Sequence, residues 1–156
     1  MSATNRKKMV VAVDGSDPSH NAINYACEFG KMLGVELVMI HVIQTSQKVG
    51  YWAFIDKHFE KELQKYADDL RKESKEIAGK LGCDAKVEIL EGVPYEEIVK
   101  FVEKEPGVVM LVMGTHGHSL AEKRLVGSTT DRVVREITKK GLAIPVTLVP
   151  YGVVLP

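Results

Sequence analysis

Between Met113 and Ile137 the chain reads MGTHGHSLAEKRLVGSTTDRVVREI, with glycine at 114, 117 and 127 and the triplet Ser128-Thr129-Thr130 directly after the last. Glycines act here through what they lack: without a side chain, a residue permits positive φ and lets a ligand reach main-chain N–H groups. Gly127-Ser128-Thr129 stands where a helix begins. The amides of a first helical turn have no acceptor within the helix, and the dipole places positive charge there. With the hydroxyls of Ser128, Thr129 and Thr130 as further donors, the segment is a candidate cradle for a phosphate. A plainer reading fits the same letters. Ser128-x-x-Asp131 matches a capping box, in which the hydroxyls only cap the helix and the glycines only turn the chain. Neither common phosphate signature is present: no G-x-G-x-x-G follows the first strand, and no glycine precedes a Lys-Ser/Thr pair.

Other residues that could do chemistry lie near this segment or on turns that would face it. Asp14-Gly15-Ser16 follows an apolar run; the Asp14 carboxylate can accept from ribose hydroxyls, or it is a turn residue before Gly15. His116-x-His118 pairs two imidazoles, but without a third ligand a metal site is poorly supported. Lys123 and Arg124 supply positive charge between the glycines, or are solvated loop charges. The stretch QTSQKVGYWAFIDKHF, Gln44 to Phe59, concentrates Tyr51, Trp52, Phe54 and Phe59. It reads either as a lid or partner surface over a binding edge, or as a hydrophobic anchor for the helix that follows.

The elements that must position these residues alternate along the chain. KMVVAV, Lys8 to Val13, is a near-continuous β-branched run of the kind buried on both faces of a parallel sheet. Asp17-Pro18 then supplies an N-cap and a first-turn proline for a helix carrying Ala22, Ile23, Ala26, Phe29 and Leu33 up to Gly34. VELVMIHVI is a second buried strand. Leu63, Ala67, Leu70, Ile77, Ala78 and Leu81 mark a long amphipathic helix closed by Gly82. AKVEIL alternates and belongs near an edge; Pro94 opens a helix with Ile98, Val99 and Val102 that Glu105-Pro106-Gly107 ends. VVMLVM is the fourth strand, Asp131 to Lys140 the last helix with Val133, Val134 and Ile137, Gly141 its stop, and IPVTLV the fifth strand. Five strands alternating with helices predict an α/β fold: a single-domain, open, parallel five-stranded sheet with right-handed crossovers and helices on both faces. In such sheets ligands bind beyond the carboxyl ends of the strands, where strand order reverses. Asp14-Gly15-Ser16 and the glycine segment would share that edge.

A chain of 156 residues is sized for one domain, read here as 1–156 with a core over 8–150, an irregular aromatic insertion over 44–59 and a tail over 151–156. Lys plus Arg equal Asp plus Glu at 21 each, so nothing global favours nucleic acid or an anionic membrane as partner. The apolar run near the N-terminus is short for a signal peptide, and no run approaches the roughly 18 residues of a membrane helix, so a cytoplasmic location is expected. Cys27 and Cys83 are the only cysteines, in no C-x-x-C pair, and read as reduced packing residues.

The spacing Gly114-x2-Gly117-x9-Gly127-Ser128 resembles the G-x2-G-x9-G-[S/T] motif of ATP-binding members of the universal stress protein family. VAVDGS, HVI, GVPYEEIVKFV, VVMLVMGTHG and PVTLVP look like further family blocks in family order, from Met9 to Pro150. The fold that the resemblance implies is Rossmann-like, of the adenine nucleotide alpha hydrolase-like kind. It implies ATP as the ligand, with any Mg2+ arriving on the phosphates. Ala12, Val13 and Asp14 would contact the adenosine beside Ser16, and Val42 would offer main-chain groups to the adenine edge. Met113 and Gly114 would flank the ribose or phosphates, His116, Gly117 and His118 would approach the phosphates, and Gly127, Ser128 and Thr129 would cradle them. Leu120 departs from the family, standing where many members have glycine or a small polar residue. The resemblance also implies a homodimer through the last strand, Ile144 to Pro150, which as an apolar edge strand would be covered by a two-fold partner.

These observations favour a nucleotide-binding regulatory module read by a protein partner whose identity the residues do not give. No nucleophile–base pair or converging set of carboxylates stands near the glycines. The alternatives are a slow ATPase using Asp14 or His118 to position water, and a dimeric scaffold that binds no nucleotide.

Overall fold

The computed structural model describes residues 6–14, 17–44, 57–115 and 126–150. Strands β1 (Lys8–Val13), β2 (Glu36–Ile43), β3 (Ala85–Glu91), β4 (Val108–Gly114) and β5 (Val146–Val149) alternate with helices α1 (Asp17–Leu33), α2 (Lys57–Lys80), α3 (Pro94–Lys104) and α4 (Ser128–Lys140). The strands form one sheet in the order β3-β2-β1-β4-β5, and every pairing is parallel. The open, parallel five-stranded α/β sheet expected from the alternation is the one found, and it agrees with the Rossmann-like fold that the resemblance implies.

Two-residue periodicity divides the sheet's side chains between two cores. Met9, Val11 and Val13 of β1, with Leu37, Met39 and Val112, meet Ala22, Ile23, Ala26 and Cys27 of α1 and Ala78 of α2. On the other face Val10, Val38, Ile40, Leu111 and Met113 meet Ile98, Val99 and Val102 of α3 and Val133 and Ile137 of α4. The central strands bury both faces, which is why they read as unbroken apolar runs.

The differences from the expected elements have local causes. Leu33, placed on the apolar stripe of α1, is half exposed, while Cys27 is fully buried. On α4 the buried positions are Thr130, Val133 and Ile137, one per turn, and Val134 lies outside that stripe. This helix starts at Ser128, three residues before Asp131. The last strand starts at Val146 rather than Ile144, because Pro145 has no N–H to donate; its carbonyl still accepts from Leu111 N at 2.9 Å. Glycines at 34, 82 and 141 do stop α1, α2 and α4, each with φ near +66°.

The two sheet edges are chemically unlike. Edge strand β3 exposes Lys86, Glu88 and Glu91, and the Lys86 ammonium lies 3.0 Å from Glu36. Its partner's carboxylate, through that hydrogen bond, holds the Lys86 amine above its ordinary range. Edge strand β5, VTLV, carries no charge.

Candidate functional site

From β1 the chain proceeds outward to β2 and β3, and from β4 it proceeds the other way to β5, so β1 and β4 are neighbours whose connections diverge. That divergence opens a crevice at the strands' carboxyl ends. A cleft of about 610 Å³ lies there, within the range of roughly 300–1,000 Å³ typical of small-molecule sites. Its walls include Ala12, Val13 and Asp14 from β1, Val42 from β2, Met113 and Gly114 from β4, and Gly127, Ser128 and Thr129 at the start of α4. These expected site residues are thus gathered from distant parts of the chain into one cavity. Ser16, His116, Gly117 and His118 lie outside the described residues, as do Gly15, Leu120, Lys123, Arg124, Tyr51, Trp52, Phe54 and the 151–156 tail.

Main-chain bonds pin the two ends of the glycine segment together. Thr115 N donates to Val149 O at 3.1 Å, continuing the β4–β5 ladder, and Gly127 N donates to Thr115 O at 2.6 Å. Buried Thr130 donates its hydroxyl to Gly114 O at 3.0 Å. The hydroxyl counted as a further ligand donor is therefore committed to holding β4 against α4. The capping box is overturned as well: Gly127 is the N-cap, no side chain caps the helix, and Ser128 is already helical. Gly127 has φ −63° and ψ 155°, ordinary extended backbone, so what its lack of a side chain provides is space rather than conformational freedom. Ser128 is exposed and Thr129 half-buried. With Gly127 N committed to Thr115, the amides of Ser128, Thr129 and Thr130 are the first-turn donors that the helix itself does not use.

Replacing Thr130 with valine keeps the shape and removes the bond to Gly114. The expected cost is about 1–2 kcal/mol, a fall in Tm of a few degrees, because the Gly114 carbonyl loses its partner. Thermal unfolding of the two proteins measures it.

Sequence reasoning missed a second group of lining residues. Ile40, His41, Ile43 and Gln44 come from the end of β2, Pro94 and Ile98 from α3, Leu63 and Tyr66 from α2, and Ser19 from α1. Ser19, itself buried, accepts a hydrogen bond from Asp14 N at 2.9 Å and so ties the end of β1 to the first turn of α1. The His41 and Tyr66 rings meet edge-on, centroids 6.3 Å apart. For β2 and Pro94 the signal was available, since every strand's carboxyl end lies on this edge. For Ser19, Leu63 and Tyr66 nothing but the packing of α1 and α2 reveals it.

The cleft's electrostatics are unusual for an anion site. Among the described lining residues Asp14 carries the only formal charge, and none is Lys or Arg. Favourable interaction with a phosphate therefore falls to oriented amides and the α4 dipole, while the Asp14 carboxylate repels anions and suits a hydroxyl donor. Among the described residues, no group of three or more His, Cys, Asp and Glu side chains is placed to hold a metal ion, and no helix is long and apolar enough to cross a membrane.

Comparison with known proteins places this arrangement in context. The model of the universal stress protein family matches residues 5–150. Universal stress protein MJ0531 of Methanocaldococcus jannaschii is 36% identical over 134 residues, covering 83% of this chain and 76% of that protein. The solved structure of MJ0577, from the same organism, superposes with a TM-score of 0.76 at 27% identity, covering 96% of this chain and 99% of that one. The universal stress protein from Archaeoglobus fulgidus, solved in complex with dAMP, shares the fold with a TM-score of 0.62 at 21% identity, covering 92% of this chain and 97% of that one.

Proposed function

The chain belongs to the universal stress protein family, and we propose that it acts as an ATP-binding regulatory module, its cleft taking the nucleotide with the phosphates on the α4 N-terminus. The observation that carries this reading is the junction of β4 and α4. There a side-chain-free N-cap, Gly127, is pinned to Thr115 beside Gly114 at the cleft wall and stands before the first-turn amides that the helix itself does not use. The dAMP complex of a fold neighbour supports the adenine nucleotide class.

In this reading the Ser128 and Thr129 amides bind phosphate oxygens, with the Ser128 and Thr129 hydroxyls alongside. Asp14 accepts from the ribose hydroxyls, held in place by the Ser19 bond to its amide. Ala12, Val13 and Met113 pack the adenosine, and main-chain groups at Val42 meet the base edge. His116, Gly117 and His118 belong to the phosphate end by motif, and Ser16 to the Asp14 turn. Mg2+, where it takes part, is carried in on the phosphates, since the described lining residues offer it a single carboxylate.

The regulatory surface of the module is a homodimer through β5 and its flanks, Ile144 to Pro150. Of the two edges, β3 is guarded by exposed charge, whereas β5 presents an uncharged strand whose outer main-chain groups a two-fold partner would pair. Partner proteins would then read the nucleotide-dependent shape of the dimer.

Mass spectrometry of protein purified without added nucleotide, followed by calorimetric titration with ATP, ADP and inorganic triphosphate, tests the proposal. An adenine nucleotide in the purified protein and micromolar binding of ATP are expected, with inorganic triphosphate at least tenfold weaker for want of the adenosine contacts. Failure of every nucleotide to bind at millimolar concentration overturns it and leaves the dimeric scaffold. A release of ADP that disappears in Asp14→Asn shifts the reading to a slow ATPase. Light scattering of the same sample should give twice the 17.3 kDa chain mass; a monomer at micromolar concentration removes the β5 dimer.

A further inference from the structure

One part of the cleft wall has no task in the nucleotide reading. Tyr66 of α2 lines the cleft, yet it is 49% exposed, while Ala67, Leu70 and Ala78 carry the buried stripe of the same helix. The Tyr66 ring stands beside that stripe and is met edge-on by the buried His41 imidazole, which backs it from β2. Leu63, one turn earlier on α2, lines the cleft as well.

Strand register decides what this ring faces. The β1–β2 ladder ends at Val13 and His41, whereas β2 stays paired with β3 as far as Ile43 and Glu91. Gly92 N donates to Ile43 O at 3.0 Å, so Ile43 turns its main chain toward β3. Alternate residues of an inner strand bond to opposite neighbours. Val42 therefore turns its main chain the other way, where β1 has ended, and a slot continues the line of β1 in the plane of the sheet. Helices on opposite faces wall that slot. His41 alternates with Ile40 and Val42, which belong to the core under α3 and α4. Tyr66 and Leu63 thus stand on the α2 side, and Pro94 and Ile98 of α3 on the other.

We propose that this slot is a stacking site for a purine ring, with Tyr66 covering one face of the base and Pro94 the other while the base edge meets the Val42 main chain. The proposal rests on the nucleotide-binding reading and adds to it the side chain that selects a planar aromatic base. A ring lying in the plane of the sheet offers its edge to the strand and its faces to the two helices, so hydrogen bonding and stacking do not compete for the same atoms. Tyr66, Leu63, Pro94 and Ile98 bring no formal charge, so this end of the cleft suits the base and leaves the phosphates to α4. A phenol ring already backed by His41 has little freedom left to lose on binding. An aromatic platform of this kind strengthens binding of a base by roughly tenfold or more.

Calorimetric titration of the full-length protein with ATP and with inorganic triphosphate, in wild type, Tyr66→Phe and Tyr66→Ala, tests this. Tyr66→Phe should bind ATP like wild type, and Tyr66→Ala at least about tenfold more weakly. Triphosphate, which has no base, should bind all three alike. The adenine H2 and H8 resonances should move upfield on binding to wild type and Tyr66→Phe, and much less with Tyr66→Ala. Because the side chain is half exposed, thermal melts of the three should agree within a few degrees. If wild type binds ATP and Tyr66→Ala binds it equally well, the stacking site is overturned and the nucleotide reading stands. Equal losses for ATP and triphosphate also overturn it, since Tyr66 would then only shape the cleft as a whole. A wild type that binds no nucleotide removes both.

Discussion

Gly127→Val lowers ATP affinity by at least about 100-fold and leaves the protein folded. The separation of the two effects follows from the backbone at this position. With φ −63° and ψ 155°, Gly127 is in a region where valine is comfortable, so no backbone strain arises and the poorer N-cap costs the fold about 1 kcal/mol. Binding suffers differently. Residue 127 lines the cleft, and an isopropyl group beside the first turn of α4 holds a phosphate out of reach of the Ser128 and Thr129 amides. Each charge-assisted bond of that kind contributes about 1.5–3 kcal/mol, so two of them amount to two or more orders of magnitude in Kd. Calorimetric titration alongside a thermal melt separates the terms. Gly127→Ala, adding a single methyl, should fall between. Unchanged affinity in Gly127→Val would move the anion site elsewhere on the carboxyl edge.

Gly107→Ala gives the second large effect, this time on stability: a loss of about 3 kcal/mol or more, and a fall in Tm of order 10 °C. Gly107 joins α3 to β4 with φ +83°, and its carbonyl accepts from Lys8 N at 2.7 Å where β1 and β4 begin. A methyl group there would stand 2.5 Å from the Arg6 carbonyl oxygen, closer than a carbon can approach. Since that oxygen belongs to backbone leading into the central strand, it cannot swing aside as a flexible side chain would. Gly34→Ala isolates the conformational part. Gly34 has φ +66° and open space around it, so its alanine variant should lose only about 1 kcal/mol. The difference between the two variants, read from chemical denaturation, measures the collision. Equal losses would mean that the β1–β4 entrance relaxes freely.

What could be read ahead of the structure was whatever local sequence controls. Strand and helix identities followed from periodicity, and their ends from Gly34, Gly82, Pro94 and Gly141. The cleft's position followed from the general behaviour of parallel sheets, so Asp14 and Gly114, at the ends of two β-branched runs, and Gly127, at the start of the last helix, could be assigned to that edge. The Ser128-x-x-Asp131 pattern misled because a capping box and a glycine-capped helix with serine at its first position share the same letters. Only the observed backbone separates them. Thr130 misled for a related reason: its hydroxyl could face a ligand or Gly114 O, and the choice depends on how α4 sits against β4.

By itself, then, the order of residues determined the alternation of elements, the two-sided burial of the central strands and the chemistry available along one edge, because each is a matter of neighbours in sequence and of period. Tertiary structure alone decided which groups meet: Ser19 with Asp14, Tyr66 with His41 and Thr130 with Gly114. Those pairings depend on the angles and depths at which helices settle on a twisted sheet. That outcome is set by the summed packing of many side chains and is written in no single stretch of the chain.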